Sequence, residues 1–265
     1  IENAHAGISV YGNSSTIAYD WVSGCVHGFL FNGSLFNTLV YDRSNNNGIA
    51  YDFYNSSGNT LEYNDGRDST VGYQFIGSTN NTLIINYAFR NVDGFMFNAG
   101  NNTLLGNGAN ENTRFAICIN GSGNVLEGNN VYGGTSSSND VAFFLDGDDL
   151  ILTNNQASNL TCAFSITGDD NVLTGNIADN CPNLFIIGGE NSTLINNVCS
   201  QRLVGFSINS TQSVLEGNNA TDCTTGAFFI NKGGCTLTNN TATSGLVSFK
   251  ISASDNLLID NMATD

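Results

Sequence analysis

The chain has 265 residues, 7 basic against 23 acidic side chains, and a formal charge of −16. That balance argues against nucleic acid, whose phosphates must be met by Lys and Arg, and against anionic membrane surfaces. No segment approaches the roughly 18 unbroken apolar residues of a membrane span.

Along the chain an aliphatic residue recurs three places before an Asn or Asp: Ile17, Leu39, Leu61, Leu83, Leu104, Leu126, Leu152, Leu173, Leu194, Leu215, Leu237 and Leu258. The step is 21 or 22 residues, apart from one of 26. Such a period predicts a solenoid whose units are stable only when stacked. Taking the aliphatic residue as position zero, position three is Asp20, Asp42, Asn64, Asn86, Asn107, Asn129, Asn155, Asn176, Asn197, Asn218, Asn240 and Asn261. Asn carries both donor and acceptor, so copies stacked coil on coil can bond along the ladder or to turn backbone. It also tolerates the left-handed corners that tight turns need. A second polar run lies at position minus two, with Asn37, Asn59, Asn81, Asn102, Asn124, Asn171 and Asn256. Both runs read as architecture.

Position five is mostly small, from Val22 and Ala88 to Ala263. Positions twelve and fourteen are large and apolar, as in Phe29 and Phe31 or Phe206 and Ile208, with a variable residue between. That alternation predicts short strands with one buried face. Helix-spaced apolar stripes are missing, and the abundant Asn, Gly, Ser and Thr fill helices poorly. Three short strands per coil predict an all-β parallel β-helix of about twelve coils, forming a single domain over residues 1–265.

The period breaks between Leu126 and Leu152, which places an inserted loop at 132–140, from Tyr132 to Asp140. Near it, position six holds Arg67, Phe89, Asn110 and Tyr132, and position seven holds Asp68, Arg90 and Glu111, with Asp65 and Arg114 nearby. Carboxylates, guanidinia and aromatics on one long face suit a sugar chain, with Phe89, Tyr132 and Asp140 as contacts. The same alternation of sign also suits a cross-coil salt-bridge ladder. Asp68 and Glu111 would stand roughly 10 Å apart, at or beyond the range of an inverting glycosidase pair.

The carboxylates Asp146, Asp148, Asp149, Asp169 and Asp170 fall at equivalent corners of adjacent coils. Ca2+ is the cation such hard oxygen ligands would hold, although no EF-hand or Gly-rich repeat spacing is present. No other cofactor is expected. Of seven cysteines, Cys162 and Cys181 in adjacent coils are the pair best placed for a disulfide. Eleven Asn-x-Ser/Thr triplets, at Asn13, Asn32, Asn55, Asn80, Asn101, Asn120, Asn159, Asn191, Asn209, Asn219 and Asn239, point with the acidity to an extracellular, cell-surface or periplasmic-side glycoprotein. The repeat register runs from position five to position seven, which predicts either further repeats or head-to-tail stacking of copies.

The phrase Asn171-Val172-Leu173-Thr174-Gly175-Asn176-Ile177-Ala178, with Gly205-Phe206-Ser207-Ile208, resembles the right-handed parallel β-helix repeat proteins, NosD-like and pectate lyase-like surface proteins among them. The resemblance covers nearly the whole chain and implies the right hand of the helix. It carries no catalytic residue across, since that group combines acidic clusters with Arg, Lys, His or Tyr on one face and no motif here matches. The sequence therefore leads first to an extracellular structural or adhesive rod or filament. The alternative is a polysaccharide-binding or polysaccharide-modifying protein, whose catalytic candidates would be Asp65, Asp68, Glu111, Arg67, Arg90 and Arg114.

Overall fold

The computed structural model describes residues 2–134 and 141–264. They contain strands and turns and no helix. Each coil has three strands, for example Ile49–Tyr54, Thr60–Glu62 and Asp65–Arg67. Every named pairing is parallel, from one coil to the next. The strands centred on position zero form a 12-stranded sheet, and the other strands join a 22-stranded sheet. Twelve strands in the first sheet bound eleven full coils.

The coil turns at three left-handed corners. In the coil of Leu61 these are Gly58, Tyr63 and Asp68, with φ of 69°, 55° and 52°. The same three places, positions minus three, two and seven, carry positive φ in coil after coil. A residue other than Gly is costly in this region, by roughly 1–2 kcal/mol, so the fold repeatedly accepts that strain to close a three-sided coil. The left-handed residue stands one place ahead of the position-three Asn. The ladder Asn side chains therefore do not serve as the corner; they tie it down.

Their bonding is complete. Asn64 Oδ1 accepts from the Asp42 backbone at 2.9 Å, and its Nδ2 donates to Leu39 O and to Asn86 Oδ1, both at 3.0 Å. Asn107 repeats this toward Leu83 O and Asn129. The position-minus-two run behaves similarly, with Asn59 Oδ1 accepting from the backbone and amide of Asn37. Both routes foreseen for the ladder, along it and to the backbone, are used at once. A buried backbone N–H thus finds a partner at a corner where no strand supplies one.

A further internal ladder runs at position eight. Asn47, Ser69, Asn91 and Asn112 each accept the backbone N–H of the coil before. Cys25, Cys181 and Cys223 occupy that position elsewhere, and Cys181 Sγ accepts from Leu160 N at 3.3 Å. These thiols are ladder members. All seven cysteines are free, so the expected Cys162–Cys181 disulfide does not form. The register explains why: Cys162 pairs with Asn183, which leaves Cys181 offset by two residues.

The core is a file of stacked rings. Phe29, Tyr51, Tyr73 and Phe95 stack at 4.6–4.9 Å, as do Phe143, Phe164, Phe185, Phe206, Phe228 and Phe249. Ile117 fills the gap between the two files, fully buried. The coil rise matches the thickness of an aromatic ring plus its contact gap, so one residue type can repeat along the axis.

Candidate carbohydrate-binding face

The sequence-predicted charged residues divide between two surfaces. Asp68 and Arg90 sit at the position-seven corner, both with positive φ. They pair with each other at 2.8 and 3.1 Å. Arg67 holds Asp65 through two bonds, and Arg43 approaches the same carboxylate at 3.6 Å. Arg90 also lies 4.6 Å from the Phe89 ring centroid, a cation–π contact. Glu111 takes the next corner, with φ 54°. Tyr132 is exposed and receives a bond at its N–H from Asn110 Oδ1. Here the charges are spent on one another. Asp140 lies outside the described residues, with the rest of 135–140 in the inserted loop.

Arg114 leaves that set. It precedes strand Phe115–Asn120 and clasps Asp93 bidentately, its Nε 2.7 Å from Oδ1. Asp93 is 1% exposed and begins strand Asp93–Asn98. A buried carboxylate needs such a partner. The sequence gave little sign of this pair, because the coil of Leu104 has an extra residue before its strand that brings Arg114 beside Asp93.

The outward side chains of this strand stack make the candidate site. Alternation places Tyr73, Phe75, Phe95 and Phe97 inward and Gln74, Ile76, Met96 and Asn98 outward. Cys118 and Asn120, then Phe144 and Asp146, continue the two outward rows in register. Together these rows line an open groove of about 350 Å³. It is apolar over most of its wall and carries amides from Gln74, Asn98 and Asn120. Burial and the nearby Asp93 carboxylate push the Cys118 thiol up to about 11, so this half-buried sulfur stays protonated.

One coil beyond the groove, Asp52 pairs in register with Gln74. Its Oδ2 lies 2.8 Å from His27 Nδ1, and the His5 ring packs edge-on to His27 at 5.3 Å. Burial raises the Asp52 carboxyl and the imidazole opposes that rise. A His–carboxylate dyad at one end of an open groove is able to exchange a proton near neutral pH. Neither His27 nor Asp52 stood out in the sequence, since three residues of register and one full coil separate them.

The chain belongs to the right-handed β-helix family. The family model of the right-handed β-helix region matches residues 116–263, more than half the chain. No curated protein matches. Two solved structures follow a similar course. The A-module of mannuronan C-5 epimerase AlgE6 from Azotobacter vinelandii is 14% identical, at a TM-score of 0.34, over 95% of this chain and 64% of that one. The catalytic domain of a GH87 alpha-1,3-glucanase in complex with tetrasaccharides is also 14% identical, at a TM-score of 0.31, over 96% of this chain and 54% of that one. This chain thus spans less than two thirds of either, and the likeness is one of fold.

The acidic corners form a file along this β-helix. Asp148 Oδ1 accepts from Asp169 N at 2.9 Å, and Asp169 Oδ1 accepts from Glu190 N at 2.8 Å. Asp146 Oδ1 takes the Thr167 hydroxyl at 2.9 Å, while Asp149 and Asp170 are left-handed corner residues. Among the described residues no three His, Cys, Asp or Glu side chains converge to hold a metal ion. Of the Asn-x-Ser/Thr asparagines, Asn13, Asn32, Asn55, Asn80, Asn101, Asn120, Asn191, Asn209 and Asn239 are exposed, and Asn159 and Asn219 are half-buried.

Proposed function

We infer that this β-helix protein binds polysaccharide along the groove lined by Gln74, Met96, Asn98, Cys118, Asn120 and Phe144, on the outer side of a membrane. The single observation that carries the reading is the composition of that open groove. Sugar rings present apolar C–H faces and a rim of hydroxyls. An exposed Phe ring with thioether and aliphatic neighbours suits the first, and a row of amides suits the second. The exposed sequon asparagines are consistent with an extracellular setting. The repeat itself serves a rigid rod as well as a binding protein, so it does not separate the two; the groove favours binding.

Affinity electrophoresis or calorimetry against a panel of purified polysaccharides is the test. At least one should bind, and Phe144→Ala combined with Asn98→Ala should weaken it at least tenfold while the thermal transition is kept. Failure of every glycan in the panel would overturn the reading.

A polysaccharide-modifying activity is the second reading, favoured by the His27–Asp52 dyad at the groove's end. Turnover of the bound glycan that disappears in His27→Ala, with binding retained, is its expected result. Retained turnover in that variant would remove the dyad from the chemistry.

A further inference from the structure

We propose, resting on the polysaccharide reading, that the groove takes an uncharged glycan chain laid parallel to the rod axis, one sugar ring per coil over four coils. Four adjacent strands supply the wall: Val71–Ile76, Asp93–Asn98, Phe115–Asn120 and Val141–Asp146. Each gives one residue to each outward row, as Gln74 and Ile76, Met96 and Asn98, Cys118 and Asn120, Phe144 and Asp146. The rows repeat at the coil rise of roughly 4.8 Å, which is close to the length of a pyranose ring along an extended chain. A chain running across the strands, parallel to the axis, therefore meets an equivalent pair of side chains at each ring.

The charges select the chain. Asp146 is the only carboxylate in the groove wall, and one of its oxygens already accepts from Thr167. Asp52 stands one coil beyond the first pair. The nearest guanidinium, Arg114, is committed bidentately to Asp93. No other Lys or Arg lines the groove. A uronate or sulfated chain would bring an anion to each ring with no free cation to meet it, on a protein of charge −16. A polyamine glycan would find one carboxylate for four rings. Hydroxyl-only or N-acetylated rings lose nothing to either defect.

The experiment has two arms on the intact chain. In the first, neutral glucans, mannans, xylans and chitin oligomers are compared by calorimetry with alginate, polygalacturonate, heparin and chitosan at low salt. Neutral chains should bind at least tenfold more tightly than any charged one. Preference for an acidic chain or for chitosan overturns this inference and leaves the polysaccharide reading standing; no binding at all defeats that reading instead. In the second arm, oligomers of the preferred glycan are graded by length. Affinity should climb up to about four rings and then level off; a plateau at two rings, or a climb continuing past six, overturns the one-ring-per-coil arrangement. Maleimide labelling of Cys118, the thiol that is not fully buried, should slow when the tetramer is bound, and unchanged labelling would place the chain elsewhere.

Discussion

The coils before residue 116 and those after residue 140 share one architecture and differ in how they fill it. The early coils carry Arg43, Arg67, Arg90 and Arg114, each set against an Asp. Their position-eight ladder is Asn47, Ser69, Asn91 and Asn112. In the later coils the same ladder passes through Leu160, Cys181 and Cys223. The early ladder is also matched by a small residue at position eleven. A Cβ added to Gly72 or Gly94 would lie 3.0 or 2.9 Å from the Asn91 or Asn112 amide nitrogen. Where the ladder residue shrinks to Cys181, Leu184 takes up the space. The corner thus accepts either a fully bonded amide beside a glycine or a thiol beside a larger apolar residue. Both close the coil, because the requirement is one buried acceptor for one backbone N–H together with filled volume.

The largest effect that would sharpen this contrast is expected at Asn107. Its Oδ1 serves Asn86 N at 2.8 Å and the Asn86 amide at 3.1 Å, and its own Nδ2 holds Leu83 O at 3.0 Å. Asn107→Ala leaves several buried groups unpaired at on the order of 1–3 kcal/mol each. Denaturant melts should show a loss well above that of Cys181→Ala, where the sulfur accepts only weakly. Equal losses would break the distinction between the two ladders. Gly94→Ala comes next. Its Cβ would lie 2.4 Å from Ala116 O as well as against Asn112. A loss of about 3 kcal/mol or more is expected from such overpacking, read from the midpoint of urea unfolding.

Asp42 gives a pH-dependent test within the early coils. It occupies the amide ladder, accepts from Asp20 N at 2.8 Å, and leaves Oδ2 buried without a partner. Burial first, and the Asp20 charge to a lesser degree, push its carboxyl up to about 6, against the bonds from the Asp20 and Val40 backbone. Between about pH 4 and 6 the folded state therefore holds more proton than the unfolded one, so stability falls as pH rises through that window. Asp42→Asn should restore the ladder donor, raise stability above pH 6 by on the order of 1–3 kcal/mol, and flatten the slope below it. A melting profile that keeps the same slope would show that another group controls it. The smallest expected effect is at the surface. Arg90→Ala breaks an exposed pair with Asp68 and should leave the melting temperature nearly unchanged at physiological salt. A clear drop there would mean that the Arg row of the early coils is structural in its own right.

Much of the fold was legible because each coil must repeat what its neighbour needs. The leucine series, the Asn at position three and the paired apolar residues at twelve and fourteen are all read from spacing alone, and the stack places each where that spacing implies. The candidate site was far less legible. Asp65, Asp68, Arg67 and Arg90 were conspicuous as charges, yet they neutralise one another at a corner. Gln74, Met96, Asn98 and Phe144 carry no motif, and they matter only because alternation turns them outward on four adjacent strands. The insertion that sets Arg114 against Asp93, and the one-coil step that sets His27 beside Asp52, shift register by a few residues within an otherwise constant period.

What the sequence determined by itself was the solenoid: a near-constant period can satisfy buried amides and buried rings only by stacking each on its own copy. What the tertiary structure decided was which outward residues share a groove. That depends on corner geometry and local register, where a single extra residue moves a side chain to a new neighbour and the repeat is unaffected.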